Sequence, residues 1–357
     1  MMTKRAHQIA ALLLAAALGL TACGSGGKDE QSTSTVTEPT TDTQTETDLT
    51  AEPPAPVSTL TAALTGLPLE QEQKQRPIAV SVNNFKAARP QSGLTQADIV
   101  WEVLAEGGIT RLIAVFQSSS FTDPIGPIRS IRPYLIDIAE SYHSVIVHAG
   151  ASTDAYDLLQ HHNKDYLDEI TNAGPYYWRD NTRKAPHNLY SDLTKMRAGA
   201  EKKNYASEVT IPTLPFSAEG AGTYDGPATN IDITFLLEDY KVSYAYDAAK
   251  GVYLRSINDE PHIDKNNDEQ LSAANVVVLG ADHKTLDDYG RLSVNLTSGG
   301  KAVLFQNGQA VACEWTRQGS DLIRITKDGK ELSMLPGHTY YHIVPNNPTF
   351  EKHLVYG

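Results

Sequence analysis

From Gly24 to Pro56 the chain is built almost wholly from Thr, Ser, Glu, Asp, Gly and Pro, with Val36 and Leu49 its only large apolar residues. Such a stretch cannot bury enough surface to offset the entropy of ordering it, so a folded core has to come from the residues beyond. Residues 23–58 read as a disordered acidic tether. Its root-mean-square span is roughly 30 Å, lengthened by like charges and prolines.

The segment before the tether says what it is tied to. Lys4 and Arg5 precede an apolar run from Ile9 to Leu20, which ends in Leu20-Thr21-Ala22-Cys23. A positive start, an apolar run and small residues before a cut make residues 1–22 a secretory signal. The run is well short of the roughly 20 residues that cross a bilayer, which argues against a spanning anchor. A cysteine just past the cut supplies a thiol for an acyl chain such as palmitate. The expectation is a lipoprotein with lipidated Cys23, held on the outer face of the cell membrane.

Removing the signal leaves 335 of 357 residues, more than one core usually organises, so two domains are predicted. The net charge of −13 becomes −15 without Lys4 and Arg5; the tether, with seven acids against Lys28, holds six of those charges and leaves −9 on the body. An acidic exported body is a poor general binder of nucleic acid or anionic lipid, so no nucleic-acid partner is expected and any anion site must be local. With Cys23 committed to lipid, Cys313 has no disulfide partner. It alternates with Val311 and Trp315 and reads as a small buried apolar side chain.

The first predicted domain, residues 60–216, is α/β or α+β. Residues 78–82 form a strand delivering Asn83 and Asn84 to its end. Runs 99–106 and 109–117 flank Gly107-Gly108 as a hairpin. Pro133 starts a helix carrying Leu135, Ile138 and Tyr142, and residues 144–148 are a buried strand. Ser152 or Thr153 caps the next helix, and Ser191 is the natural cap of another. After a Pro/Gly-rich passage the second domain, residues 229–357, is mostly β, with strands near 231–236, 242–246, 252–257 and 275–279. Hairpins close at Asn307-Gly308 and Asp328-Gly329, and an antiparallel sheet or small barrel is predicted.

Three places could carry chemistry. If Gly107-Gly108 is the whole turn, Leu104 pairs with Arg111 and Glu102 with Ile113, and Glu102, Glu106 and Arg111 share one face. That arrangement could raise the pKa of a carboxyl for general acid work, or it could be a solvated charged face. Next, Arg129 and Arg132 lie three apart on the glycine- and proline-shaped run 126–133, where a helix start and planar guanidiniums suit a phosphate or carboxylate. Their alternative role is to pair with Glu102 or Glu106. Last, residues 183–190 with His187 and Asn188 follow the aromatic loop 176–179. Stacking surfaces beside amides suit sugar rings, with His148 facing His187 across a cleft, and core packing of the aromatics is the alternative.

Metal ligation is not expected. His148, His161, His162 and His187 lack zinc spacing, and Asp264, Asn266 and Asp268 lack the glycine and closing glutamate of a calcium loop. Walker, dinucleotide, Gly-x-Ser-x-Gly, His-Glu-x-x-His and Cys-x-x-Cys motifs are absent, so no cofactor is predicted.

Several of these motifs resemble the YerB family of bacterial lipoproteins. They are residues 76–80 with Asn83-Asn84, the 96–108 segment with Thr110-Arg111, the 126–133 run, His148 with Gly150 and Ser152, and residues 185–190. The resemblance covers most of the chain past Leu60 and implies a motif-bearing N-terminal domain followed by a distinct C-terminal one. The family has no assigned activity, so no catalytic residue is carried over. Two functions are therefore open. One is an envelope lipoprotein binding an anionic or glycan-like cell-wall ligand through Asn83, Arg111, Arg129, Arg132, His148, His187 and Asn188. The other is a glycan-cleaving or glycan-modifying enzyme with Glu102 or Glu106 as general acid. A scaffold for partner proteins would instead show a broad exposed apolar patch.

Overall fold

β1 (Ile78–Asn83), β2 (Ile99–Leu104) and β3 (Thr110–Phe116) are buried along their whole length, as near-continuous apolar strands are when a sheet is covered on both faces. They belong to a computed structural model that describes residues 60–357; the signal, the tether and Cys23 lie outside the described residues. α1 (Pro133–Ser141) starts with proline in its first turn and buries Leu135, Ile136, Ile138 and Ala139. β4 (Val145–His148), α2 (Thr153–His161), β5 (Tyr166–Asp168) and α3 (Leu193–Lys202) follow. Ser152 caps α2 through Ala155 N. The cap of α3 is Asp192 rather than Ser191: its carboxylate accepts from Lys195 N at 2.7 Å, while the Ser191 hydroxyl turns to Tyr176 O.

The C-terminal half is mostly strands; part of it forms the expected antiparallel sheet, but no barrel closes among the described residues, and its remaining strands join the sheet of the N-terminal half. Its strand Thr339–Pro345 lies parallel to Asn275–Ala281 on one side and to β2 on the other. Beyond Asn275–Ala281 the same sheet continues antiparallel through Gly300–Gln306, Gln309–Thr316 and Arg324–Lys327. On the other flank β2 leads to β3, β1, β4 and β5. Both segments thus contribute to one twelve-stranded mixed sheet. The physical reason is edge satisfaction: β2 would otherwise expose a row of unpaired backbone groups.

A second sheet, built around Asn230–Thr234, Lys241–Asp247 and Val252–Ile257, packs on one face of the large sheet through Ile231, Ile233, Tyr244 and Tyr253, beside Leu193 and Met196 of α3. The opposite face carries Leu135 and Ile138 of α1 and Leu159 of α2. Both predicted glycine turns have the expected positive φ, at Asn307-Gly308 and Asp328-Gly329. Cys313 is buried, as its alternation implied, and burial pushes its thiol up to about 12.

The β2–β3 hairpin corrects a prediction. Ala105 N bonds Ile109 O, so the turn is the three residues Glu106-Gly107-Gly108. The register becomes Leu104 with Thr110, Val103 with Arg111 and Glu102 with Leu112. That one-residue change reverses side-chain parity, so Glu102 and Arg111 lie on opposite faces of the sheet.

Candidate anion site at the end of the central sheet

β1 runs parallel to β4 and antiparallel to β3, and β3 is antiparallel to β2, so β1, β2 and β4 all end where β3 begins. The carboxyl ends of parallel strands are where open α/β sheets place ligands. Here Asn83 lies directly opposite Arg111. The 126–132 segment is laid over these strand ends by backbone bonds. Asn83 N donates to Pro127 O and Arg129 N to Ser81 O, both at 2.8 Å, and Ile131 N donates to Gly150 O at 3.0 Å. Gly126 makes the close approach with φ +149, where a Cβ would lie 2.8 Å from Leu189 O.

This folding gathers positive charge faster than negative. Arg111 is only 7% exposed, and its buried Nε and Nη1 have no hydrogen-bond partner. Burial, then the neighbouring charges of Arg132 and Arg129, pull its pKa down. The half-buried Arg129 guanidinium also makes no hydrogen bond or ion pair among the described residues, and burial and Arg132 lower its pKa. Arg132 is different: it grips Glu106 with two nitrogens, Nη2 to Oε2 at 2.8 Å and Nε to Oε1 closer still. Burial raises the Glu106 pKa, but the bonds and charge of Arg132 outweigh it and hold the carboxylate ionised. Three guanidiniums thus share one carboxylate.

His187 borders the cluster. Its Nδ1 accepts from Asn83 Nδ2 at 2.9 Å, and its ring stacks on Phe85 with centroids 5.3 Å apart. Asn83 Oδ1 accepts from Phe85 N, which fixes the amide orientation and so the imidazole's accepting nitrogen. Burial, then Arg129, Arg111 and Arg183, lower the His187 pKa and keep the ring neutral.

Of the seven expected ligand residues, Asn83, Arg111, Arg129 and His187 converge, and Arg132 adjoins them already neutralised. His148 does not face His187. It is fully buried, with Nδ1 on Gly150 O at 3.0 Å and Nε2 without a partner. Asn188 is a brace, accepting from Arg179 and donating to Asp180 O and Arg183 O. The aromatic loop mostly packs inward: the Tyr177 hydroxyl donates to Leu167 O at 2.6 Å, and Trp178 stacks on Tyr190.

Glu102 belongs to a different construction, on the opposite face. Its Oε2 meets Arg255 Nη2 at 2.7 Å, and its Oε1 accepts from Thr110, Asn84 and Tyr240. Arg255 in turn donates to Tyr244 and to His262, which is bonded to Gln91. Burial alone would raise the Glu102 pKa; Arg255, His342 and Tyr240 hold it well below the ordinary carboxylate range. A general acid needs a proton to give at an accessible position, and neither glutamate has one. The sequence reading missed this network. Arg255 shares the inward parity of Tyr253 and Ile257 in an alternating strand, and that was the signal available.

Family models match both halves of the chain: "Protein of unknown function (DUF3048) N-terminal domain" over residues 64–206 and the corresponding C-terminal domain over 231–341. A Bacillus subtilis (strain 168) protein named "Putative lipoprotein YerB" is 36% identical over 273 residues, covering 76% of this chain and 82% of that protein. The crystal structure of YerB protein from Bacillus subtilis matches with TM-score 0.76 and 34% identity, covering 84% of this chain and 99% of that one.

Proposed function

This chain belongs to the DUF3048 family, and from that footing we propose a lipoprotein, anchored through Cys23 to the outer face of the cell membrane, that binds an anionic ligand of the cell envelope. The anchor is supported by the signal-like segment ahead of Cys23 and by the relative's name. The ligand reading rests on one observation: Arg111 is buried with two unpartnered guanidinium nitrogens, beside an equally unpaired Arg129. Burying a charge without a partner is strongly unfavourable, and a bound phosphate or carboxylate accepting from Arg111 and Arg129 removes that penalty. Asn83, His187 and the exposed ring of Phe85 flank the arginines with amide, imidazole and a stacking face, which suits an anion carried on a sugar or polyol.

Calorimetry on the unlipidated Cys23→Ser chain tests this with inorganic phosphate and a poly(glycerol phosphate) chain. Binding is expected, weakening as salt is added, and lost in Arg111→Met with Arg129→Met. Equal heats from the wild-type and doubly substituted chains would remove the assignment.

A further inference from the structure

The turn that supplies Glu106 to the arginine cluster is also the centre of an exposed apolar rim. On one side of it, a Cβ on Gly108 would lie 3.0 Å from Leu237, which is about one-third exposed beside the more exposed Leu236. On the other side, the position a Cβ would take on Gly290 is 3.7 Å from Gly107 N, which brings up Tyr289, 85% exposed, and the half-exposed Leu286. Phe85, 41% exposed, completes the row: it shares with Leu237, Lys86 and Arg89 a cavity of about 170 Å³. Tight turns ordinarily present polar residues, so five large apolar side chains around one turn call for a partner.

We propose that this rim docks on the bilayer to which the chain is anchored, with lipid phosphate on Arg111 and Arg129 and with Phe85, Leu236, Leu237, Leu286 and Tyr289 entering the headgroup region. The inference rests on the anion site proposed above and names the source of its anion. Two arguments select a membrane. Apolar side chains combined with uncompensated cations are the composition of an interfacial surface. In addition, the 37 residues from Cys23 to Thr59 are long enough for the body to reach the membrane in any orientation. The rim also carries the exposed acids Glu238, Asp239 and Asp288, so its attraction to an anionic leaflet has to come from Arg111, Arg129, Lys86 and Arg89 acting against them.

The test is flotation of the full Cys23→Ser chain with vesicles of phosphatidylcholine alone or with phosphatidylglycerol. Binding is expected to favour the phosphatidylglycerol vesicles. Arg111→Gln with Arg129→Gln should weaken it by about five-fold per arginine, at roughly 1 kcal/mol each near a charged surface. Leu236→Ser with Tyr289→Ser, both at exposed positions that leave the core intact, should reduce binding to both vesicle types at least ten-fold. Phosphate binding in calorimetry without vesicle binding would overturn the docking and leave the anion site standing; absence of both would overturn both. Vesicle binding indifferent to the arginines would overturn the proposed orientation.

Discussion

Glu102 and Arg255 form a fully buried ion pair, 2.7 Å from Oε2 to Nη2, with one residue from each half of the chain. Because β2 and the Thr339–Pro345 strand are hydrogen-bonded neighbours in the same sheet, this pair and the sheet couple the halves, which should unfold together.

Replacing Glu102 by Ala leaves Arg255 charged, buried and unpaired, which costs about 3–5 kcal/mol. Urea denaturation followed by fluorescence should show a single transition moved to lower urea. The sign of the pH dependence follows from the depressed folded pKa of Glu102. Its contribution is complete above its ordinary value of 4.5 and is lost as pH falls toward the folded value, so Glu102→Gln should flatten the acid limb of stability against pH. An unchanged acid limb would contradict the pairing.

At Arg111 the expected sign is opposite. The guanidinium is buried among other cations with no acid of its own, so Arg111→Met should stabilise the ligand-free protein by about 1 kcal/mol or more while abolishing anion binding. Thermal unfolding with and without phosphate reads both effects. Loss of stability in the variant would mean that Arg111 is a structural strut.

Much of the fold could be read from residue patterns, because strands such as β1 and helices such as α1 announce themselves by runs, periodicity and a leading proline. The hairpin could not. Gly107-Gly108 is compatible with a two- or a three-residue turn, and the choice reverses which face Arg111 occupies. Strand order was equally hidden: nothing local to residues 339–345 says that they pair with β2, since that contact spans most of the chain. Arg129 and Arg132 were singled out together, but only the fold decides that Arg132 takes Glu106 and that Arg129 is left over. His148 and Asn188 looked like ligands because their types suit the role; burial and backbone bonding, which no motif encodes, commit them elsewhere.

His187 reports on the cluster's field. Burial and the nearby arginines place its pKa below 6.5, so the unfolded chain takes up its proton first and this residue's contribution to stability declines as pH falls below about 6.5. A ring-proton NMR titration should show the low value directly. Arg129→Met should move it up toward 6.5, and saturating phosphate should do the same in the wild-type chain. A His187 pKa unmoved by either change would place the arginines too far away to act together on an anion.

The last prediction concerns how Arg129 is held. Gly126 has φ +149, and a Cβ there would press on Leu189 O and lie 2.9 Å from Tyr190 Cδ1. Both neighbours are fixed, Leu189 O by its bond from Ile128 N and Tyr190 by its stacking with Trp178. The 126–132 segment therefore has to lift, moving the backbone of Arg129 off Ser81. Gly126→Ala should lower stability by about 1–3 kcal/mol and weaken phosphate binding further than that loss of folded protein explains. Gly107→Ala is the control: it has positive φ but no atom within 4 Å of the added Cβ. It should lower stability through backbone strain alone and leave phosphate affinity unchanged. Equal affinity losses in the two variants would mean that the packing of the 126–132 segment does not position Arg129.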